Sequence, residues 1–291
     1  MVERDVNKKL SDKGTLYLVA TPIGNLQDIT FRAVNTLKEV DLIAAEDTRQ
    51  SIKLLNHFEI KKPLISYHEH NKNVKGNYLI EQLLEGKNIA LVSDAGSPGI
   101  SDPGEDLVKL AIENDIRITM IPGPVAAVTG LVISGLSTGR FVFEGFLPMN
   151  KRTRQERLKQ LKDETRTIIF YEAPHKLSYT LKDIYNAWGD RHIALARELT
   201  KRYEEIIRCS IFEAMERFQN ESPKGEFVLI IEGQNESILI ENDRNQFADV
   251  SIEEHVQRYV EDGLEKKEAI KKVADDRGMT KRDVYNAVMK K

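Results

Sequence analysis

The sequence predicts an α/β protein made of two α/β domains, the first with a parallel sheet and the second with a mixed one, followed by a small helical unit. Three observations carry that expectation. Apolar strand-like runs alternate with helix-period segments through residues 14–136. Between 137 and 233 some strand-like runs follow one another too closely for long crossovers. After a polar stretch at 234–250, read as a linker, three short helical patterns occupy 251–291.

In the first half the expected strands are Leu16–Ala20, Leu42–Ala45, Leu64–Ser66, Ile89–Val92 and Ile118–Ile121. Between them, Phe31–Val40, Ser51–Phe58, Val74–Leu84 and Leu107–Asn114 carry apolar residues at helical spacing,. Strands separated by helices imply crossover connections and a largely parallel sheet. Pro124–Ser134 reads as a buried helix, and small and polar residues at Leu136–Arg140 mark a domain boundary. Phe141–Gly145, Thr167–Tyr171, Ile193–Arg197, Glu205–Cys209 and Phe227–Ile231 are strand-like in the second half. Arg154–Leu161, Leu177–Trp188 and Phe212–Phe218 are its helices. In the terminal unit, Ser251 with Glu254 has capping-box spacing and Thr280 with Asp283 offers an N-cap,. A glycine turn at Gly278 then makes the last helices either a helix-turn-helix unit or a cap on the main body,.

Composition narrows the class. A chain of 291 residues with 41% hydrophobic content can bury a substantial core,. Its net charge of −3 exerts no global pull on nucleic acid, so any RNA contact must come from local patches,. The single cysteine, Cys209, excludes an intramolecular disulfide and a multi-cysteine zinc site, and suits a reducing cytosol,. Residues 1–13 are charged, without a signal peptide's apolar core, and read as a flexible segment,. Ile118–Gly139 contains no charge, but Pro122-Gly123-Pro124 breaks it early. The expectation is therefore a soluble, cytoplasmic protein with no membrane partner.

The chemistry concentrates at strand ends. Leu91–Gly104 packs Gly96, Gly99, Gly104, Pro98, Pro103, Asp94 and Asp102 into one loop after the fourth strand. Glycine permits positive φ and close backbone approach, proline stiffens the turn, and such a loop suits a small-molecule site. The first strand ends in Thr21-Pro22-Ile23-Gly24, which lacks a G-x-G-x-x-G turn, and no P-loop or G-x-S-x-G elbow occurs,. Glu46-Asp47-Thr48-Arg49 follows the second strand, where one carboxylate could pair with Arg49 while the other handles a proton,. Helix capping by Asp47 or Thr48 is an equal reading. His68-Glu69-His70 follows the third strand; with no third ligand by spacing, a polar substrate-facing loop is preferred over a metal site, and none is expected,. Tyr171–Lys176 and Arg197–Lys201 place further charge at strand ends. Residues 150–162 carry six basic residues against Glu156 alone, which suits either phosphate contact or a solvated helix face,.

Eight stretches together resemble the tetrapyrrole methylase superfamily. They are LYLVATPIGNLQDITFRA (16–33), AAEDTRQS (44–51), SYHEHN (66–71), VSDAGSPGISDPG (92–104), IPGPVAAVTGLVISGL (121–136), FEGFLP (143–148), FYEAPHKL (170–177) and ARELTK (196–201). Within that superfamily the chain is similar to the branch that methylates a cytidine ribose 2′-hydroxyl in the decoding region of 16S rRNA. The resemblance implies S-adenosylmethionine as donor, the small ribosomal subunit as partner, and a homodimer. It places the donor against Pro22, Asp94, Ala95, Gly96, Ser97, Ile100, Ala126, Tyr171, Glu226 and Phe227. Asp94–Ser97 are expected nearest the donor, with Asp102 as a helix cap. Val125 departs from the serine or threonine common at its position.

Transfer to a weakly acidic hydroxyl requires alignment and a base. Glu46 or Asp47 is the expected base, with Arg49, His68 and Arg197 positioning phosphate or ribose. The competing readings are a methylase of a small tetrapyrrole and a non-enzymatic RNA-binding protein. The basic segment and the terminal helices favour RNA over a small macrocycle.

Overall fold

A computed structural model describes residues 13–219, 223–239, 247 and 249–289. Most of the segment 1–13, part of the linker 234–250 and the final two lysines lie outside the described residues. The chain divides into two compact units, Met1–Lys159 with Thr167–Glu232, and Gln160–Arg166 with Gly233–Lys291.

The first unit holds both sheets. In the first, β1 (Thr15–Val19), β2 (Leu42–Ala45), β3 (Leu64–Ser66), β4 (Ile89–Val92) and β5 (Arg117–Ile121) are all parallel, in the order β3-β2-β4-β1-β5. The helices α1 (Phe31–Glu39), α2 (Thr48–His57), α3 (Lys72–Leu84) and α4 (Gly104–Glu113) fill the crossovers. Alternation along β4 shows why both faces are covered. Ile89 and Leu91 pack with Leu79, Leu83 and Leu107 of α3 and α4, whereas Ala90 and Val92 pack with Leu37 and Leu55 of α1 and α2,. The chain leaves β1 toward one edge and β4 toward the other, so their carboxyl ends flank the point where strand order reverses. Ligands of open α/β sheets bind there.

The helix α5 (Ala126–Ser134) leads into the second sheet, β6 (Phe141–Phe146), β7 (Thr167–Glu172), β8 (His192–Arg197), β9 (Glu205–Ser210) and β10 (Phe227–Ile231), in the order β6-β7-β10-β8-β9. β6 and β7 are parallel; β10 runs antiparallel to both β7 and β8, and β9 antiparallel to β8. The mixed sheet predicted from the closely spaced runs is thus present. Ala127 and Leu131 of α5 pack on Ile169, Ala196, Val228 and Ile230. The helices α6 (Lys151–Gln160), α7 (Leu177–Trp188) and α8 (Ile211–Gln219) complete this part. Trp188 Nε1 donates to Leu158 O at 2.7 Å while its ring lies 6.1 Å from that of Phe170, joining α6, α7 and β7.

The second unit contains α9 (Ile252–Glu261), α10 (Lys266–Arg277) and α11 (Lys281–Met289) around a core of its own, including Val256, Ile270, Val273 and Val284. Ser251 Oγ accepts from Glu254 N at 3.0 Å, and Thr280 Oγ1 from Asp283 N at 3.2 Å, as the capping signals predicted. His255 is buried between the rings of Phe247 and Tyr259 and accepts from Arg277 Nε, and burial holds its imidazolium below the ordinary range. No described helix is long and apolar enough to cross a membrane.

Candidate functional site

The loops after β1 and β4 are stitched together first. Thr21 N donates to Gly96 O at 2.8 Å and Gly96 N to Thr21 O at 3.1 Å. Gly96 has φ +79°, and a Cβ there would lie 3.3 Å from Ile23 Cγ2 and 3.4 Å from Pro124 O. Only glycine therefore lets the three loops converge without strain. Farther along, the Asp102 carboxylate accepts from Gly99 N at 2.8 Å and from Gly104 N, the first residue of α4, at 2.7 Å. It folds the loop back and satisfies an orphan donor at the helix start.

A cavity of about 520 Å³ opens beside this stitch, between the strand ends of the two sheets. Of the residues predicted for the donor, Asp94, Ala95, Gly96, Ser97, Ile100, Ala126, Tyr171, Glu226 and Phe227 line it. Pro22 does not, but its neighbour Ile23 does. Tyr171 is held by Ala127 N donating to its hydroxyl at 3.2 Å; burial raises its pKa, against that bond.

The predicted catalytic residues separate. Glu46 is half-buried in the cavity wall. Its pKa is raised, first by burial and then by the charges of Asp94 and Asp102, which outweigh the hydrogen bond from Asp94 N. Asp47, one residue on, is absent from the wall. Its carboxylate caps α2 through Arg49 N at 2.8 Å and pairs with the Arg49 guanidinium, which lowers its pKa. This cap starts α2 at Thr48, three residues earlier than the periodicity predicted. Asp47 N donates to Asp94 Oδ1 at 2.9 Å, tying the Glu46-Asp47 turn to the loop after β4.

Arg49, His68 and Arg197 also lie outside the cavity wall. The Arg49 side chain is 88% exposed. His68 is fastened by its backbone N donating to Asn71 Oδ1 at 2.9 Å and by contact of its Nε2 with Asn71 Nδ2, while its Nδ1 is buried without a hydrogen-bond partner among the described residues. The rings of His68 and His70 are 6.0 Å apart. Arg197 Nε donates to Lys224 O at 2.6 Å, and its guanidinium pairs with Glu205 at 3.4 Å.

Several wall residues were not named as donor or catalytic residues, although Glu172 and Lys201 fall in the strand-end stretches Tyr171–Lys176 and Arg197–Lys201. Phe146 follows a β-bulge in β6, where Gly145 at φ +62° re-aims the strand, and its ring packs edge-on to Tyr171 at 5.6 Å,. Lys201 bridges Glu198 at 3.0 Å and Glu226 at 2.9 Å; burial pulls its pKa down, but these two pairs more than offset it. Glu172 is buried in the wall and satisfied by Thr180 Oγ1 and Ala173 N. No spacing rule links these positions, which meet only through the second sheet.

The basic segment resolves against wholesale phosphate contact. Arg154 pairs with Asp183 at 2.7 Å with both side chains largely buried, and Arg157 grips Glu144 with two bonds at 2.7 and 2.8 Å. Arg152 pairs with Glu156 at 3.1 Å. Three of the arginines thus fasten α6 to its surroundings or to itself.

The cavity fits S-adenosylmethionine. Its volume falls within the ordinary range for small-ligand sites of about 300–1,000 Å³. Ile23, Ile100, Val125, Ala126 and Val228 supply apolar walls for an adenine ring, and Glu46, Asp94 and Asp102 place carboxylates beside a cationic ligand. Comparison with solved structures shows the fold. The structure of uroporphyrin-III C-methyltransferase from Thermus thermophilus complexed with S-adenosylhomocysteine has the same fold, with TM-score 0.55 and 16% identity over 76% of this chain and 98% of that one. A diphthine synthase structure matches with TM-score 0.59 and 12% identity, covering 76% and 91%. Those two likenesses show the fold; with the family match and a methyltransferase relative at 54% identity, the class is that of an S-adenosylmethionine-dependent methyltransferase. The chain belongs to the family of tetrapyrrole (corrin/porphyrin) methylases, which matches residues 15–215. Ribosomal RNA small subunit methyltransferase I of Halalkalibacterium halodurans is 54% identical over 275 residues, covering 94% of each chain.

Proposed function

We propose that this protein methylates small-subunit ribosomal RNA, placing the methyl group on the 2′-hydroxyl of a cytidine ribose in the decoding region, as a cytoplasmic homodimer. The observation that carries this reading is 54% identity to the Halalkalibacterium enzyme across nearly the whole of both chains. In it the cavity is shared by two α/β domains, 14–136 and 137–233, with the helical unit 251–291 beyond the linker 234–250.

When bound, S-adenosylmethionine supplies an electrophilic methyl group on a positively charged sulfonium. Asp94–Ser97, Ile100, Ala126, Tyr171 and the Glu226–Phe227 edge hold the donor. Glu46 serves as the base that takes the proton from the ribose 2′-hydroxyl. Its raised proton affinity follows from burial beside Asp94 and Asp102 and brings it closer to that of the group it must deprotonate,. The hydrogen bond from Asp47 N to Asp94 fixes the turn that presents Glu46. Arg49 and His68, at neighbouring strand ends, orient phosphate and ribose, and Arg197 braces the β8–β9 end of the cavity rim.

The test is incubation with labelled S-adenosylmethionine and small ribosomal subunits from cells lacking the enzyme, beside free RNA and a uroporphyrinogen-type substrate. Label recovered in a cytidine ribose is the expected result. Label in the macrocycle alone would overturn the reading.

A further inference from the structure

The cavity wall is strongly biased in charge. Glu46, Asp94, Asp102, Glu172 and Glu226 line it, and Lys201 is the one lysine or arginine among the described wall residues. An S-adenosylmethionine donor has a part that apolar walls and acids leave unmatched. Besides its adenine and its sulfonium it carries an α-amino-acid head, a carboxylate beside an ammonium. That carboxylate needs a cationic or N–H partner once it leaves water.

Lys201 is held as a preorganised group. Its Nζ donates to Glu198 Oε1 at 3.0 Å and to Glu226 Oε2 at 2.9 Å. Glu198 is itself fixed, since its carboxylate accepts from Glu226 N at 2.9 Å and its side chain is 19% exposed. The stem of Lys201 lies against Gly24, where a Cβ would stand 2.4 Å from Lys201 Cγ. Asn25 N donates to Thr200 Oγ1 at 3.0 Å, so the loops after β1 and β8 close on each other beside the lysine. Glu198 and Thr200 take left-handed φ values of +50° and +66°, which residues other than glycine keep only where their surroundings enforce them,. An ammonium group has three N–H donors, and those of Lys201 meet only these two acceptors among the described residues,. One donor is left for a ligand.

The local charge selects the kind of ligand. Two glutamates around one lysine leave a surplus negative charge, so an isolated phosphate would meet net repulsion. A zwitterion would not, because its carboxylate takes the free N–H of Lys201 while its ammonium falls beside the surplus carboxylate. Glu226, with its side chain 78% exposed, is the partner whose contact solvent weakens, and it can turn to that ammonium while Glu198 still holds Lys201,.

We propose that Lys201, positioned by Glu198 and by the room left at Gly24, binds the α-carboxylate of the donor's amino-acid head and so selects adenosyl ligands that carry that head. This rests on the cavity as the donor site and is independent of which acceptor receives the methyl group. Label recovered in a macrocycle would therefore overturn the ribosomal reading and leave this one to be decided by ligand binding.

The experiment measures binding by calorimetry to the full-length protein as wild type, Lys201→Met and Gly24→Ala. The probes are S-adenosylhomocysteine, which has the amino-acid head, and 5′-methylthioadenosine, which lacks it. Binding of protein-free small-subunit RNA is measured beside them. Lys201→Met keeps an apolar stem against Gly24 and removes the charge. It is expected to lower affinity for S-adenosylhomocysteine about tenfold or more, the scale of one charge-assisted hydrogen bond, with 5′-methylthioadenosine changed less than about twofold. Gly24→Ala leaves the charge but displaces the stem, and it should again weaken the ligand with the head more than the ligand without it. The second ligand also reports that each variant is folded. Unchanged affinity for S-adenosylhomocysteine in Lys201→Met overturns the proposal. So does an equal loss of both ligands, which would make Lys201 a brace of the wall alone. A loss of RNA affinity with S-adenosylhomocysteine binding intact overturns it as well, and would assign the lysine to a substrate phosphate.

Discussion

The two sides of the cavity handle charge in opposite ways. On the first-sheet side, Glu46, Asp94 and Asp102 face the cavity with no lysine or arginine paired to them among the described residues. The raised proton affinity of Glu46 is the electrostatic record of that crowding. On the second-sheet side, Glu198, Glu205 and Glu226 are answered by Lys201, Arg197 and Arg217. Carboxylates without a cationic partner beside a cavity leave negative potential for a ligand or a proton, whereas paired charge at a rim holds the rim in shape.

That contrast breaks most directly at Glu46. Glu46→Gln is expected to slow methylation about 100-fold or more while donor affinity by calorimetry changes less than twofold. Near-normal turnover would move the base elsewhere. Asp94→Asn is the next largest. The Asp94 charge raises the Glu46 pKa, so its removal lowers that pKa, and the acid limb of the kcat–pH profile should move toward lower pH. Activity that falls with acidification, as Glu46 takes up its proton, would then persist further into the acid range. The same substitution should weaken donor binding several-fold, and Asp102→Ala losing donor affinity in its place would reverse the assignment of the two aspartates. On the opposite side, Glu226→Gln removes one partner of Lys201 but leaves Glu198, and with its side chain 78% exposed it should alter kcat/KM less than about threefold,. The smallest catalytic effect is expected at Asp47. Asp47→Ala removes the α2 cap and should lower the melting temperature by about 2–4 °C with methylation retained. A catalytic collapse there, with the fold intact, would make Asp47 a second participant.

Strand bounds were readable from apolar runs, at the buried strands and at the edge strand β3 alike. Leu42–Ala45, Leu64–Ser66, Ile89–Val92 and Phe227–Ile231 appear with the bounds the apolar runs predicted, and β4 and β10 are buried at every position. Side-chain partnerships across long separations were not readable. Arg154 and Asp183 are 29 residues apart, and nothing in their spacing announced that α6 would use its charge internally. The same reason hid Phe146 and Lys201 from the cavity, since a bulge and a pair of ion pairs bring them there. Asp47 illustrates a local limit. Glu46 and Asp47 are adjacent and chemically alike, and the helix register alone decides which faces the cavity and which caps α2.

The place of β10 in the second sheet has a consequence for the order of events during synthesis. It lies between β7 and β8, yet follows both of them, and β9 as well, along the chain. A ribosome releases amino-terminal segments first, so the parallel sheet of residues 15–121 can assemble from contiguous chain,. The second sheet has no such freedom. Until Phe227–Ile231 has emerged, β7 and β8 each present an unpaired inner edge, a template for association with other chains,. That last strand also brings Glu226, Phe227 and Val228 into the cavity wall. Closure of the sheet and completion of the pocket are thus one step, and donor binding in a series of stalled nascent chains should begin only once β10 has cleared the exit tunnel.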